Sequence, residues 1–278
     1  MGPLHVHLAD LERLCPEGLG PDDLRAWLRA PIAGEPLLKR LLQPLVGLPV
    51  DRITARPSRA AEALDACLPL FGFHLDLEDG LEDAHVVLPA QGLLEVDLAT
   101  LLQRAERAEV QLRADAVDAC GARVGRLRVR LGKRGPSTCA QALSSLRLWT
   151  TGTAFELLST SRRALEGDVK NLTPGGRWID ALLTAPHARC RGEIVPPGPA
   201  SLGEDSIVEA GALLEPGAIV GDACFVGRSA RVGNALILDG STVHAGAELR
   251  DVVRLPSGLD LPATSGLEAL TDSPRRNA

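Results

Sequence analysis

The stretch 202-LGEDSIVEAGALLEPGAIVGDACFVGRSARVGNALILDGSTVHAGAEL-249 repeats every six residues. Read in sixes from Leu202, the first column is aliphatic at seven of eight positions, and His244 is the eighth. The aliphatic members are Leu202, Val208, Leu214, Val220, Val226, Val232 and Leu238. The fifth column is small in six of eight positions, and glycine fills half of the second column. This period fits neither an α-helix nor a simple strand, and it predicts a left-handed parallel β-helix of hexapeptide repeats over 200–255.

In such a β-helix, three hexads complete one coil and the aliphatic column points inward. The eight hexads then give between two and three coils, so a neighbouring domain or subunit is needed to cover the open end. The preceding segment, 168–199, includes 186-PHARCRGEIVPPGPA-200 with four prolines and two glycines. We interpret 168–199 as a linker leading into the first coil, and the proline-rich, polar segment 256–278 as a loose C-terminal tail.

The composition limits the classes of protein. A chain of 278 residues with 45 % hydrophobic and 24 % charged residues is typical of a globular protein with one large or two smaller domains. The net charge of −6 disfavours a nucleic-acid partner. Six cysteines without paired spacing argue against a zinc site and a disulfide framework. The sequence shows neither a secretory signal nor an apolar run of about 20 residues, so we predict a cytoplasmic protein without a membrane partner.

The N-terminal part, 1–167, alternates helical and strand patterns. Helices are predicted at 35–48, split by Pro44, at 97–109 with Asp97 as N-cap, and at 154–167. Strands are predicted at 50–55, 84–90, 110–119 and 124–132. This alternation predicts an α/β layered domain with a largely parallel sheet.

The order of these segments resembles the sugar-1-phosphate nucleotidyltransferases, also called NDP-sugar pyrophosphorylases. The stretch 31-PIAGEPLLKRLLQPLVGLPVDRITA-55 is similar to the family's turn, helix and second strand. Two further stretches, 86-VVLPAQGLLEVDLATLL-102 and 149-WTTGTAFELLSTSRRAL-165, resemble the strand with a Gly-Asp pair and the W-x-D-x-G-T motif. The repeats resemble the β-helix of the mannose-1-phosphate guanylyltransferase branch. The resemblance covers about Pro31 to Val253 and implies a reduced, Rossmann-like domain at 1–167.

The family joins a nucleoside triphosphate to a sugar 1-phosphate and releases pyrophosphate. The resemblance implies a glycine-rich loop with an arginine and a lysine for the phosphates, and aspartates that hold Mg²⁺. In this chain, acidic residues surround Gly18 and Gly20 in the loop region 7–27. The family's lysine falls in the pair Ala26-Trp27, which lacks one.

The two metal-binding carboxylates of the family are also replaced. The Gly-Asp pair falls on Ala90-Gln91, and the later aspartate falls near Thr150. We therefore expect a catalytically inactive relative that needs no cofactor, with Mg²⁺ relevant only to an active enzyme. Its expected role is a regulatory, scaffolding or sugar-nucleotide-sensing subunit. It would form a homo-oligomer, or a hetero-oligomer with an active paralogue, through the β-helix, and a nucleotide sugar is a candidate ligand.

The matched positions nominate substrate-contacting residues, each with a structural alternative. The candidates are Arg25, Gln91, Asp97 and Thr150. For Asp97 the preferred interpretation is an ordinary helix N-cap, and for Arg25 it is a solvated residue beside Asp22 and Asp23.

Two other functions stay open. An active nucleotidyltransferase would use Asp180, from 178-WID-180, or Asp97. A hexapeptide acyltransferase would depend on His244 or His187.

Two polar patterns within the predicted strands are also notable. His5 and His7 flank Val6, which places both histidines on one face of a first strand. The stretch 126-RLRVRLGKR-134 alternates arginine with aliphatic residues. It predicts either one solvated sheet face or a surface for an acidic partner.

Overall fold

The computed structural model describes residues 2–71, 73–78, 80–108, 111–118, 120–130, 140–170, 172–195 and 198–264. The fold is mixed α/β, and its sheets are mostly parallel. The described residues form two compact units. Unit 1 lies within Met1–Leu28 and Leu37–Gly152, and unit 2 lies within Arg29–Pro36 and Thr153–Ala278.

The helices and strands have the following bounds. The α-helices are α1 (Pro21–Leu28), α2 (Leu37–Leu42), α3 (Arg59–Cys67), α4 (Leu98–Ala108) and α5 (Ala154–Leu165), and 3-10 helices span Leu11–Arg13, Gln43–Leu45 and Leu68–Phe71. The first strands are β1 (Leu4–Ala9), β2 (Pro31–Ile32), β3 (Glu35–Pro36), β4 (Val50–Ala55), β5 (Leu75–Leu77), β6 (Val86–Pro89), β7 (Gly92–Leu94), β8 (Gln111–Val117), β9 (Arg123–Val129), β10 (Ala140–Ala142) and β11 (Leu146–Thr150). The later strands are β12 (Arg177–Ile179), β13 (Leu182–Thr184), β14 (Arg189–Cys190), β15 (Glu193–Ile194), β16 (Ala200–Leu202), β17 (Ile207–Val208), β18 (Leu213–Leu214), β19 (Ala218–Val220), β20 (Phe225–Val226), β21 (Arg231–Gly233), β22 (Ala235–Ile237), β23 (Thr242–Val243), β24 (Glu248–Arg250), β25 (Val252–Arg254) and β26 (Asp260–Pro262).

The sheet of unit 1 has the order β5-β4-β1-β6-β9-β8-β11-β7, and β10 also pairs with β8. Strands β5, β4, β1 and β6 are parallel to one another, whereas β9 is antiparallel to both β6 and β8. One face is apolar, as in β1, where Leu4, Val6 and Leu8 are buried. His5 and His7 lie on the other face, as the alternation predicted. The carboxyl ends of β1, β4 and β6 therefore meet at one edge.

Local sequence signals set the ends of several helices. The helix predicted at 35–48 is split, because α2 stops at Leu42 and Pro44 lies within the 3-10 helix that follows. Asp97 caps α4 as predicted, since its Oδ1 accepts a hydrogen bond of 3.0 Å from Thr100 N. Thr153 and Glu156 form a reciprocal capping box at the start of α5.

Unit 2 contains three stacks of short parallel strands. They are β13-β16-β19-β22-β25, β14-β17-β20-β23 and β15-β18-β21-β24, and β12 and β26 add antiparallel ends to the first. Paired residues lie 18 positions apart early in the stack, as in Val208 with Val226, and 17 apart later, as in Val226 with Val243. Strands that pair after each such interval fit a parallel β-helix.

The inward column follows the predicted positions from Leu202 to Val232 and then shifts by one residue. Leu202, Val208, Leu214, Val220, Val226 and Val232 all belong to the buried core. The core then continues through Ile237, Val243 and Leu249, instead of Leu238 and His244. Leu238 is also buried, but His244 is exposed. The cause is a corner with one residue fewer, because Asn234 alone separates β21 from β22, in a left-handed conformation with φ 41°.

The predicted linker contributes a coil of its own. Strands β13, β14 and β15 pair in parallel with β16, β17 and β18. The residues that pair with Leu202 and Val208 are Thr184, which is half-buried, and Cys190, which is exposed. Because neither is aliphatic, the six-residue pattern does not extend into this segment. At the other end, β26 pairs with β25, and residues 265–278 of the predicted tail lie outside the described residues.

Helix α5 belongs to unit 2, although the predicted N-terminal domain extended to residue 167. The helix contacts β25 and β2. The outward side chains of the first stack, Ile219, Leu236 and Val253, are almost fully buried. An apolar outer face of this kind needs a cover, and α5 provides one within the same unit.

Candidate functional site

A cavity of about 400 Å³ lies beyond the carboxyl ends of β1 and β4 in unit 1. Its walls come from the loop between β1 and α1 and from the start of α3, which follows β4. The lining residues are Glu12, Cys15, Pro16, Glu17, Gly18, Leu19, Leu24, Ser58, Arg59 and Ala60. Ligands of open parallel α/β sheets bind at this end of the strands. The cavity is therefore the candidate functional site.

Buried side chains hold the loop that forms one wall of the cavity. Trp27 is fully buried, and its Nε1 lies 3.1 Å from both Leu14 O and Thr151 O. Thr151 Oγ1 also donates to Leu14 O at 3.4 Å. These contacts hold the middle of the loop in place. Gly18 has φ 84°, a conformation that glycine adopts without strain, and open space surrounds it.

The opposite wall is the first turn of α3. Ser58 is the N-cap, and its Oγ accepts a hydrogen bond of 3.1 Å from Ala61 N. Arg59 Nη2 donates to Leu19 O at 2.5 Å, so this side chain connects the two walls. Among the lining residues that the structure describes, Arg59 is the only cation, and Glu12 and Glu17 are the acidic residues. The formal charge of the lining is thus negative.

Cys15 contributes a buried thiol to the lining. Burial raises its pKa to about 11, although the nearby Arg59 guanidinium acts in the opposite direction. The thiol is therefore protonated at neutral pH. A protonated, buried thiol is a weak nucleophile and acts here as a small apolar contact.

Two of the predicted substrate-contacting residues have local structural roles. Arg25 is exposed, and its guanidinium donates to Asp22 Oδ1 at 3.1 Å and to Pro21 O at 3.3 Å. Asp97 accepts from Thr100 N and, at 2.7 Å, from Thr100 Oγ1, and these hydrogen bonds lower the pKa of Asp97. Neither residue belongs to the cavity lining.

The other two predicted residues lie close to each other in the sheet. Gln91 is buried, and its Nε2 donates to Val124 O. Thr150 pairs with Gly92 across β11 and β7. A Cβ on Gly92 would lie 2.0 Å from Trp149 O, so only glycine allows this approach. These residues hold β7 against β11 and β9, and they too lie outside the cavity lining.

The Mg²⁺ that the resemblance implies does not fit the residues present. Gln91, at the position of the family's metal-binding aspartate, uses its amide to bind a backbone carbonyl. Within the described ranges, no group of three or more His, Cys, Asp or Glu side chains is arranged to hold a metal ion. Asp180, His187 and His244, which the alternative functions require, are all exposed in unit 2.

The sequence analysis identified one wall of the cavity, the loop region 7–27 with Gly18, but it missed the opposite wall, Ser58, Arg59 and Ala60. Within the loop, Glu12 and Cys15 carry no motif that marks them as lining residues. One signal was available: Pro57-Ser58 comes one residue after the predicted strand 50–55, and serine is a preferred N-cap. Because β1 and β4 are parallel, this N-cap lies at the same edge as the loop.

Comparison with protein-family models gave no match to this sequence, and a search of curated proteins gave no significant match. In the part of the chain that the structure describes, none of the helices has the length and apolar character needed to cross a membrane.

Proposed function

We propose that the protein is a catalytically inactive relative of the sugar-1-phosphate nucleotidyltransferases, acting as a regulatory, scaffolding or sugar-nucleotide-sensing subunit. In this proposal unit 1 is a reduced Rossmann-like domain and the stack of unit 2 is a left-handed parallel β-helix. The observation that carries the proposal is the lining of the cavity at the carboxyl ends of β1 and β4. Its charges, Glu12, Glu17 and Arg59, do not suit a triphosphate.

The acidic residues of the lining disfavour a highly charged ligand. A carboxylate about 5 Å from a phosphate charge costs about 3 kcal/mol at an effective dielectric constant of about 20. The lining carries two carboxylates, those of Glu12 and Glu17, while the guanidinium of Arg59 already donates to Leu19 O. A nucleotide sugar carries fewer charges than a triphosphate and places an uncharged sugar in part of the site. It is therefore the more suitable ligand for a sensor.

Assembly through unit 2 is the second part of the proposal. The outer face of the stack β14-β17-β20-β23 presents Ile207 and Phe225 side by side, each 38 % exposed. Adjacent apolar side chains on a sheet face favour contact with another protein. This supports a homo-oligomer, or a hetero-oligomer with an active paralogue.

Two measurements on the purified protein test the proposal. The first is pyrophosphate release with Mg²⁺, mixed nucleoside triphosphates and a panel of sugar 1-phosphates, where we expect no turnover. The second is calorimetric binding of nucleotide sugars, where Arg59→Gln should weaken any binding about tenfold, as expected for one charge-assisted hydrogen bond. Arg25→Gln is the matched control, because Arg25 is exposed and lies outside the cavity lining.

The outcomes separate the roles. Clear turnover would overturn the proposal. Binding without turnover would support a sensor, and absence of both, from folded protein, would leave the scaffolding role. That role requires an oligomer in analytical ultracentrifugation or a partner that co-purifies from the native host. A monomer that binds neither nucleotide sugar nor partner would contradict all three roles.

A further inference from the structure

Strands β8 and β9 bring arginine side chains together on one face of the unit 1 sheet. Arg113 lies directly opposite Arg128 in the antiparallel pair. Arg130 comes two residues after Arg128 and therefore points to the same side. Like charges directly opposite each other in an antiparallel sheet destabilise it. Repulsion between Arg113 and Arg128 therefore destabilises this strand pair, and a bound anion would remove that repulsion.

The three arginines donate to neutral acceptors. Arg113 Nη2 donates to Gln111 Oε1 at 3.1 Å. Arg128 Nη2 donates to Leu81 O at 2.5 Å, and Arg130 Nη2 donates to Glu82 O at 2.6 Å. These contacts hold the guanidinium groups in place, while each group has five N–H donors in all and keeps others available.

A second set of arginines on the same hairpin differs in its partners. Arg123 and Arg126 both pair with Asp115, at 3.1 and 3.2 Å. Among the described residues, none of Arg113, Arg128 and Arg130 forms an ion pair of this kind. Burial first, and then the charges of Arg130 and Arg113, lower the pKa of Arg128. Within the described part of the chain, the positive charge of these three arginines is therefore not paired with a carboxylate.

The opposite face of the same strands is buried, so β8 and β9 are not a fully exposed hairpin on which arginine would be expected at any position. Leu112, Ala114, Leu127 and Val129 are buried on that face, and α4 contacts both strands. The arginine face is buried where Val87 pairs with Arg128 and becomes accessible toward β8: Arg128 and Arg130 are half-buried, and Arg113 is exposed. A ligand can reach this face without any rearrangement of the hydrophobic core.

We propose that Arg113, Arg128 and Arg130 form a binding site for the phosphate group of a small phosphorylated molecule. A phosphate dianion offers three oxygens to several guanidinium groups, whereas a carboxylate would pair with only one or two. The site is on a sheet face, so the rest of the molecule would extend into solvent. A long polyanion such as a nucleic acid is disfavoured, because Asp115 and the net charge of −6 would repel it.

This site lies on strands β8 and β9 and uses no residue of the cavity lining, so it does not depend on the proposed function. Its test uses different probes and variants. Binding of inorganic phosphate, pyrophosphate and glycerol phosphate is measured by calorimetry at constant ionic strength in a phosphate-free buffer. Wild-type protein should bind at least one of them with a dissociation constant at or below about 1 mM.

Arg113→Gln and Arg128→Gln should each weaken that binding about tenfold, as expected for the loss of one charge-assisted hydrogen bond. Arg126→Gln is the matched control, since it removes the same charge from the same face but from an arginine that Asp115 neutralises. We expect it to change binding by less than about twofold. Arg113 is exposed, so its substitution should not impair folding even if that of Arg128 does.

The outcomes decide the matter. Tighter binding of glycerol phosphate than of inorganic phosphate would identify a phosphorylated metabolite as the ligand, and equal binding would identify the phosphate ion. Equal losses in Arg113→Gln and Arg126→Gln would show diffuse attraction and overturn the proposed site. Absence of binding by folded wild-type protein would overturn it as well.

Discussion

The two units place polar residues in opposite ways. In the stack of unit 2, the inward column from Leu202 to Leu249 is apolar, and polar residues occupy the corners. In the sheet of unit 1, polar and charged residues interrupt the strands themselves, as His5, Thr54 and Arg128 show. Over the described residues Leu202 to Leu249, the inward column of unit 2 has no polar group to offer a ligand, so it contributes only to the stability of the fold. Polar residues inside strands have a cost, so unit 1 is the place to look for binding.

The largest expected effect tests the column of unit 2. Val243 is fully buried and His244 is exposed, whereas the six-residue register predicted the reverse. Val243→Asp would bury a carboxylate without a partner and should lower the free energy of unfolding of unit 2 by about 4 kcal/mol or more. His244→Asp should change it by less than about 0.5 kcal/mol. Urea denaturation of both variants measures the difference. A larger loss in His244→Asp would restore the original register.

The second prediction concerns a carboxylate that unit 2 does bury, at a corner of the stack. Asp222 Oδ1 accepts from Glu204 N at 2.7 Å, and Asp239 Oδ1 accepts from Asp222 N at 2.9 Å. Asp239 Oδ2 lies 3.2 Å from Arg29 Nε, an ion pair without hydrogen-bond alignment. Burial raises the pKa of Asp239 to about 6; the Asp222 N–H and Arg29 act to lower it, and the Asp222 carboxylate acts to raise it.

The sign of the pH dependence follows from that pKa. Between about pH 4 and 6 the folded state binds a proton at Asp239 that the unfolded state has lost. The contribution to stability is therefore complete below about pH 4 and is lost as the pH rises through 6, by about 3 kcal/mol. The difference in unfolding free energy between wild type and Asp239→Asn should change by this amount from pH 4 to 7. Arg29→Gln should move the change to higher pH, and a constant difference would contradict the prediction.

The elements that the sequence predicted well are those with a local signal. Alternation predicted β1, β4 and the two faces of β9, and Asp97 was identified as the cap of α4. The shift after Val232 had no such signal. Ile237 and Leu238 are both aliphatic, so the choice between them depends on the length of the corner at Asn234.

The candidate sites needed knowledge of tertiary contacts. The cavity combines a loop after β1 with the start of α3, and no sequence spacing connects Cys15 with Arg59. The face of Arg128 was visible in the alternation of 126–134. Its partner Arg113 was not, because the register of β8 against β9 decides which residues are opposite.

The smallest predicted effect tests the buried polar face of unit 1. Thr54 Oγ1 lies 2.9 Å from His5 Nε2 and 3.0 Å from His7 Nδ1, and all three residues are buried. A hydroxyl has one proton, so it donates to one ring and accepts from the other, which requires one of the two ring nitrogens to be unprotonated. Burial is the main cause that lowers the pKa of His5, in agreement with a neutral ring.

Thr54→Val keeps the shape of the side chain and removes both hydrogen bonds, so it should lower the unfolding free energy of unit 1 by about 1–3 kcal/mol. Thr54→Ser is the matched control, because it keeps the hydroxyl and removes only a methyl group, at a cost of about 1 kcal/mol or less. Urea denaturation at pH 7.5 compares them. If serine costs as much as valine, packing of the methyl group matters more than the shared hydroxyl, and the polar face would then resemble the apolar column of unit 2. A larger loss for valine would show that unit 1 depends on a buried polar contact, which the inward column of unit 2 does not use.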